Sequence, residues 1–397
     1  MEILLVTDGY PPTPGGLEGH VGLLARFLHG AGHSIRVVTA SPVEDNDDPW
    51  TVLSAPTRLA NIPGLHQGAL RQLPPPWPDR GVMDGVARCV ATKRPDVIHS
   101  HGWCAASAGR VAQAQGIPHV VTLHDYGLLC PMRTLLNNGT SCSHTASLGC
   151  LRCVGSDQSA PKRLVLAAGI RRTFRHELRV SSFIAVSAAV ARAHQRAGLR
   201  EPLDVIPTFV VEPAVQPAPF AEQGTVLFVG PDEPYKGWPI VDAARQMLIE
   251  RGRSVVFQQV GGSSRSSVPN LERSGRLTGE ALQAAYDRAW MVLVPSTWEE
   301  PFGTVALEAM ASGRAVIASA VGGLRDIVDD GVTGLLVPPS DPVALADAVD
   351  ALWSDPARRE AMGRAGRDRV QDFTIATIGP RLEAHYERAL AGGATAQ

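Results

Sequence analysis

The chain has 397 residues, 44% of them hydrophobic and 19% charged, with a formal net charge of −2. That length exceeds one ordinary core and predicts two domains of roughly 150–220 residues each. The charge balance provides no general attraction to nucleic acid or to an anionic membrane, and no apolar run of about 18 residues predicts a membrane span.

The opening "MEILLVTDG" is too short and wrongly flanked for a signal peptide, so a cytoplasmic protein is expected. The first half alternates short apolar, β-branched runs with helical patterns. "EILLVTD" (2–8), "HSIRVVTA" (33–40), "PDVIHSH" (95–101), "IPHVVTLHD" (117–125) and "SSFIAVS" (181–187) read as buried strands. Between the first two, "EGHVGLLARFLHGAG" has apolar residues at helical spacing, with Gly30 and Gly32 available at its exit. This βαβ rhythm predicts a parallel sheet covered by helices on both faces. The proline-rich segment 206–224 has no clear period and reads as a linker. A second series follows: "TVLFVG" (225–230), "SVVFQQVGG" (254–262), "AWMVLVPS" (289–296), "AVIASA" (315–320) and "GLLVPP" (334–339). The expectation is two Rossmann-like, doubly wound domains, 1–210 and 211–377, with a C-terminal helix 378–397 returning to complete the first. Such halves bind ligands in the cleft between them, beyond the carboxyl ends of their strands.

The strand ends therefore hold the candidate chemistry. After the first strand, Pro11, Pro12 and Pro14 stiffen a loop that delivers Gly15 and Gly16 to a helix start. Paired glycines there let backbone N–H groups approach an anion; a tight turn without a ligand is the alternative. His124, in "LHDYGLLCP", can contact a sugar hydroxyl or shuttle a proton, or be simply structural. Lys236, in "FVGPDEPYKGW", can neutralise phosphate or be solvated surface. The most informative stretch is "WEEPFGTVALEAMASG" (298–313), which reads as a helix from Thr304 to Ala311 with Gly313 at its C-terminal cap. Nearly everything around Glu308 is apolar, and a buried carboxylate costs several kcal/mol or so unless paired. The N–H groups around Thr304 and Val305 can hold an anion. Glu308 shares a helix face with Thr304 and can accept hydrogen bonds from a polyol such as ribose, while Glu300 in the preceding loop can reach a second polyol. The two carboxylates would then hold the ends of an elongated, phosphate-centred ligand.

Taken in order, these segments resemble the retaining glycosyltransferases of family 4, which have the GT-B fold. The resemblance runs from "YPPTPGGLEGHVGLLARFLHGAGHSIRVVT" through "DVIHSHGW", "TLHDY" and "FIAVSAAV". It ends with "PSTWEEPFGTVALEAMASGRAVIASAVGGLRDIVDDGVTGLLVPPSD". Its Glu-x7-Glu pattern selects Glu300 and Glu308, not Glu299. The resemblance implies a UDP- or GDP-sugar donor held mainly by the second domain. Glu308 would bind the ribose, Glu300 the transferred sugar, and Lys236 with the backbone after Phe302 (Gly303, Thr304 and Val305) the diphosphate. The Gly15–Gly16 loop would close over the donor, and His124 would lie near the reacting centre, so that His124 and Glu300 are the catalytic candidates. It further implies front-face displacement with neither a covalent nucleophile nor a catalytic metal. Three positions depart from the pattern: Pro231 stands where an arginine is usual, "IPTFV" replaces a common asparagine–glycine pair, and Asp326 replaces a glutamate. A sugar-nucleotide epimerase or hydrolase, or a nucleotide-binding pseudoenzyme encouraged by Pro231, are the competing readings.

Acceptor contacts are expected around Tyr10, Trp103, Tyr126 and Arg133, with a small molecule favoured over a lipid and no nucleic-acid partner. Cys130, Cys142, Cys150 and Cys153 form C-x11-C-x7-C-x2-C within the insertion 130–153. A structural zinc, reduced thiols, or disulfide or cluster chemistry all fit that pattern. Some family members resemble this in having a cysteine-rich insertion after the His-Asp-Tyr segment. "EDNDD" (44–48) reads as a solvated acidic loop in preference to a metal motif. Segment 161–180 reads as a basic amphipathic helix, solvated in preference to membrane-docked.

Overall fold

The computed structural model describes residues 1–13, 15–43, 47–57, 77–130, 132–137, 140–142, 150, 167–173, 178–210, 217–222, 224–263, 266–268 and 270–393. The chain divides into two compact units, Met1–Pro207 with Ile378–Gln397, and Thr208–Thr377.

The first unit contains β1 (Glu2–Thr7), β2 (Ser34–Thr39), β3 (Thr51–Ser54), β4 (Val97–His101), β5 (His119–Leu123), the small hairpin β6 (Leu136–Asn137) and β7 (Thr140–Ser141), β8 (Ser182–Ala185) and β9 (Leu203–Val205). Seven of these form one parallel sheet in the order β3-β2-β1-β4-β5-β8-β9. The order reverses between β1 and β4, so the carboxyl ends of these two strands flank a topological switch point. Helices Gly16–Gly30, Arg80–Thr92, Ala105–Gln115 and Ala188–Arg196 cover the sheet. The second of these begins where the Asp79 side chain accepts the N–H groups of Gly81 and Val82. Leu4, Val6, Val38, Val86, Ile98 and Ala108 form its apolar core. Helix Ile375–Gly393 packs on this unit from Ile378 onward. The buried Tyr386 hydroxyl lies 2.7 Å from His99 Nδ1, and Arg381 donates to the carbonyl of Val205.

The second unit contains β10 (Thr225–Val229), β11 (Phe257–Val260), β12 (Ser266–Val268), β13 (Leu271–Ser274), β14 (Ala289–Val294), β15 (Ala315–Ser319) and β16 (Gly334–Val337). Their order is β12-β13-β11-β10-β14-β15-β16, parallel except for the edge strand β12. Here the order reverses between β10 and β14, which makes their carboxyl ends the equivalent crevice. Val226, Phe228, Val241, Leu248, Met291, Ile317 and Val349 fill the core, each burial of this kind being worth about 1.5–3 kcal/mol. Within this unit the linker is anchored by Phe220, whose ring lies under the guanidinium groups of Arg314 (4.5 Å) and Arg359 (5.6 Å).

Every strand expected from an apolar run is present, one to five residues shorter in total. Strands β3, β9 and β13 were not expected, because they are brief and largely half-buried, with little apolar signal. Among the described residues no helix is long and apolar enough to cross a membrane. Half of segment 161–180 (161–166 and 174–177) and Glu44–Asn46 of the acidic loop lie outside the described residues; residues 167–172 are helical, as expected, and residues 178–180 are not.

Candidate active site

In the second unit, the loop after β14 and the loop after β10 are tied together. The Thr297 N–H donates to the Tyr235 carbonyl over 2.9 Å. Gly237 has φ 88°, and a Cβ there would meet the Pro295 carbonyl oxygen at 2.0 Å, so only glycine allows this approach. The junction places Lys236 Nζ 3.0 and 3.1 Å from the two carboxylate oxygens of Glu300. Glu300 Oε2 also accepts from Ser296 Oγ at 2.7 Å and from Trp298 Nε1 at 2.9 Å. Three donors thus fix a carboxylate that is only 8% exposed. Lys236 keeps more access and lies 5.2 Å from the Trp298 ring.

Helix Thr304–Ala311 starts at Gly303, in the left-handed region with φ 117°, and no side chain caps it. Its first N–H groups, on Thr304 and Val305, therefore have no side-chain cap, four and five residues after Glu300 in the chain. Phe302 is buried, its ring 6.1 Å from that of Phe373, which fixes the turn before the helix. Ser312 is the C-terminal cap and Gly313 follows with φ 70°, as the sequence pattern requires. Glu308 is half-buried, and its Oε2 accepts the Tyr286 hydroxyl at 2.6 Å. Burial raises the Glu308 carboxyl above its usual range, and the Tyr286 hydrogen bond offsets part of that rise.

Neighbouring Glu299 faces a different partner, accepting the Gly322 N–H at 3.0 Å, while the Gly323 N–H donates to the Glu300 carbonyl at 2.7 Å. Gly322 has φ 53°, and a Cβ would meet the Glu300 carbonyl oxygen at 2.1 Å. The pair Gly322–Gly323 is the backing on which the glutamate loop rests. Arg273, the nearby cation at the end of β13, is committed to Asp232 at 2.7 Å and to Gln259 at 2.7 Å. Pro231 therefore has no spare arginine from this strand.

In the first unit, Gly15 and Gly16 begin helix Gly16–Gly30, again with no side-chain cap. Glu18 folds back against Gly15, where an added Cβ would meet its Oε2 at 1.9 Å. An incoming phosphate at this loop has to displace that carboxylate. At the end of β1, Asp8 accepts the N–H groups of Trp103 (3.1 Å) and Cys104 (3.0 Å), and burial raises its carboxyl to about 7.

An open pocket lies beyond β5, lined by Trp103, His124, Asp125, Leu128, Arg133 and Ile170 among others. Arg133, with φ 62°, donates from Nε (2.8 Å) and Nη2 (2.5 Å) to Asp125 Oδ2. His124 Nε2 lies 2.9 Å from His101 Nδ1, and burial lowers the His124 ring to about 3, so it is neutral near pH 7. Of the four expected acceptor residues, Trp103 and Arg133 line this pocket. Tyr10 and Tyr126 do not: both are buried, Tyr10 donating to Asp48 Oδ2 (2.8 Å) and Tyr126 stacking on His194. Asp48 of the acidic loop thus has a structural partner.

Cys130, Cys142 and Cys150 form no disulfide with one another, and Cys153 lies outside the described residues. The three described sulfurs do not all fall within 4.8 Å of one another. Cys130 sits in a turn where backbone N–H groups of Leu135, Met132 and Thr134 hydrogen-bond to it, and burial raises its thiol despite them.

Four participants were not anticipated from the sequence: Tyr286, Ser296, Trp298 and His101. The first lies 22 residues from its glutamate. Ser296 and Trp298 were inside the quoted segment but gave no periodic signal.

Comparison with known proteins identifies the family. The profile described as Glycosyl transferases group 1 matches residues 216–369, and the profile Glycosyltransferase Family 4 matches residues 14–212. The chain is 30% identical over 390 residues to D-inositol 3-phosphate glycosyltransferase 1 of Catenulispora acidiphila, covering 87% of each protein. It is also 30% identical over 406 residues to the phosphatidyl-myo-inositol mannosyltransferase of Mycobacterium leprae, covering 97% of this chain and 96% of the relative. Its fold matches that of Anabaena HepE, solved in complex with UDP and glucose, with a TM-score of 0.67 at 18% identity, over 98% of this chain and 100% of HepE. With two Rossmann-like parallel-sheet units of the GT-B type and profile matches over most of its length, the chain belongs to glycosyltransferase family 4.

Proposed function

We propose that this glycosyltransferase moves a sugar from a UDP- or GDP-linked donor to a hydroxyl or other nucleophile of an acceptor. In this reading configuration is retained and no metal takes part in catalysis. The observation that supports it most strongly is the Lys236–Glu300 pair beside the uncapped start of helix Thr304–Ala311, with Glu308 one turn further on. Glu308 receives the ribose hydroxyls on the oxygen that Tyr286 does not occupy. Lys236 and the N–H groups of Thr304 and Val305 face the diphosphate, and Glu300 holds hydroxyls of the sugar.

Departure of the nucleoside diphosphate builds negative charge on its terminal oxygens while the sugar becomes oxocarbenium-like. Fixed N–H dipoles and one ammonium group stabilise that charge without reorganising. The acceptor adds on the face the diphosphate leaves, and the departing phosphate oxygen takes its proton. His124, neutral near pH 7, serves as a hydrogen-bonding group for acceptor or sugar and not as a cationic acid. The Gly15–Gly16 loop joins the donor once Glu18 moves aside. The acceptor belongs in the pocket lined by Trp103, His124, Asp125 and Arg133, whose polar groups suit a small polyol or phosphate-bearing molecule. The test is release of nucleoside diphosphate from UDP- and GDP-sugars in EDTA, with inositol phosphates and phosphatidylinositol among the acceptors. Acceptor-dependent release giving a product with the donor's anomeric configuration is expected. Inverted product, or tight nucleotide binding with no release from any donor, overturns the reading.

A structural zinc at Cys130, Cys142, Cys150 and Cys153 belongs to the same proposal. The N–H groups around Cys130 suit a thiolate ligand, and binding requires the described sulfurs to draw closer than they stand. Its role is to order the insertion beside the pocket.

A further inference from the structure

The switch point of the first unit holds a row of histidines whose hydrogen bonds can be followed ring by ring. His99 has a partner on each nitrogen, Tyr386 at 2.7 Å and Thr122 at 2.7 Å. His119 likewise has Ser100 at 2.8 Å and the Arg179 carbonyl at 2.6 Å. Both are explained as satisfied core residues. His101 is different. It is wholly buried, its Nδ1 faces another imidazole, and its Nε2 is buried without a hydrogen-bond partner.

Two further imidazoles stand around its Nδ1. His20 reaches in from helix Gly16–Gly30, His101 from the end of β4, and His124 from just beyond β5. Ring centroids lie 4.9 Å (His20–His124), 5.2 Å (His101–His124) and 5.9 Å (His20–His101) apart. One nitrogen from each ring falls within 4.8 Å of one from each of the others. We infer that His20, His101 and His124 form a binding site for a divalent transition-metal ion such as Zn²⁺, with its fourth coordination position opening towards the pocket that His124 lines.

Metal–imidazole bonds of about 2.0–2.1 Å place tetrahedral ligand nitrogens about 3.3 Å apart. The His101–His124 contact of 2.9 Å then opens by a few tenths of an ångström, and the wider separations close through ring rotation. Burial holds all three rings in the neutral form that ligates. Three imidazoles with no carboxylate select zinc, cobalt, nickel or copper over magnesium or calcium. The ligands are uncharged and Arg133 acts on His124 from the pocket side, so the ion must bring its own anion, hydroxide or a small ligand, at the open position. This site stands on the geometry of the first unit alone; it shares His124 with the proposed transfer reaction, and a metal titration reads it without turnover.

The test uses full-length protein stripped with chelator and titrated with Co²⁺, followed by competition with Zn²⁺. The expected result is a four-coordinate Co²⁺ signal with visible d–d absorption, displaced by Zn²⁺, that remains in Cys150→Ser once the thiolate charge-transfer band of the cysteine cluster is gone. Affinity should fall by more than about 10-fold in His20→Ala and in His124→Ala, each checked for an intact fold by circular dichroism, and stay unchanged in Cys150→Ser. Loss of all tetrahedral Co²⁺ absorption in Cys150→Ser, or a Cys150→Ser spectrum that a further His20→Ala leaves intact, overturns the inference. So does the absence of any tetrahedral Co²⁺ spectrum.

Discussion

The Lys236 ammonium sits 3.0 and 3.1 Å from the two carboxylate oxygens of Glu300, although 64 residues separate them in the chain. One ion pair therefore joins the ends of β10 and β14, the two strands that flank the switch point of the second unit. Removing the carboxylate removes both the lysine's partner and the proposed sugar contact. Glu300→Ala is expected to lower kcat by about 10²–10³-fold, and Trp298→Phe, which deletes one donor to the carboxylate, by about 10-fold. Steady-state release of nucleoside diphosphate checks both. Equal rates in Trp298→Phe and wild type would show that the carboxylate needs no positioning.

Glu308 provides a pH test. Its folded carboxyl titrates above the usual range because burial dominates, and the ribose contact requires the ionised form. As pH falls through that raised value the carboxylate protonates, so the KM for donor should rise on the acid side. Tyr286→Phe removes the hydrogen bond that lowers the value, which moves the acid limb to higher pH; Glu308→Gln flattens it. A donor KM independent of pH in all three proteins would refute the ribose assignment.

The helix Ile375–Gly393 makes a stability prediction. Tyr386 is fully buried and its hydroxyl is the partner of His99 Nδ1. Tyr386→Phe keeps the ring and strands the histidine nitrogen, at a cost of about 1–3 kcal/mol. Differential scanning calorimetry reads this as a lower Tm, and an unchanged Tm would mean that the contact contributes nothing.

Acid should destabilise the first unit. Burial lowers His119 and His194 to about 4 in the folded state, below the unfolded value near 6.5. Folded pKa values below the unfolded ones favour the neutral rings. Their contribution is complete above about pH 6.5 and is lost as pH falls towards 4, each ring adding up to about 1.4 kcal/mol per pH unit. Denaturant unfolding between pH 7 and 5 measures the slope, and His194→Asn should reduce it.

The fold was legible where burial left long apolar runs, as in β1, β4, β14 and β15. It was not legible at β3, β9 and β13, where short, half-buried strands owe their pairing to a neighbour already in place. At the site, spacing alone separated Glu300 from Glu299, and the structure gives the two side chains different partners, Lys236 and the Gly322 N–H. Spacing did not reveal Tyr286 as the partner of Glu308, because the contact runs between two helices. Nor did it distinguish Trp103 and Arg133, which line the pocket, from Tyr10 and Tyr126, which are buried. Aromatic residues near a strand end give the same sequence signal in either setting. The meeting of His20, His101 and His124 depends on three elements converging, which no local pattern encodes.

The central claim is that the charge of the departing diphosphate is met by Lys236 and the backbone of Thr304 and Val305, with no metal. The most direct measurement is acceptor-dependent release of nucleoside diphosphate by wild type and Lys236→Ala in excess EDTA. Full wild-type turnover in EDTA with a kcat about 10²–10³-fold lower in Lys236→Ala is predicted. Loss of wild-type turnover in EDTA, or an unchanged kcat in Lys236→Ala, would contradict it.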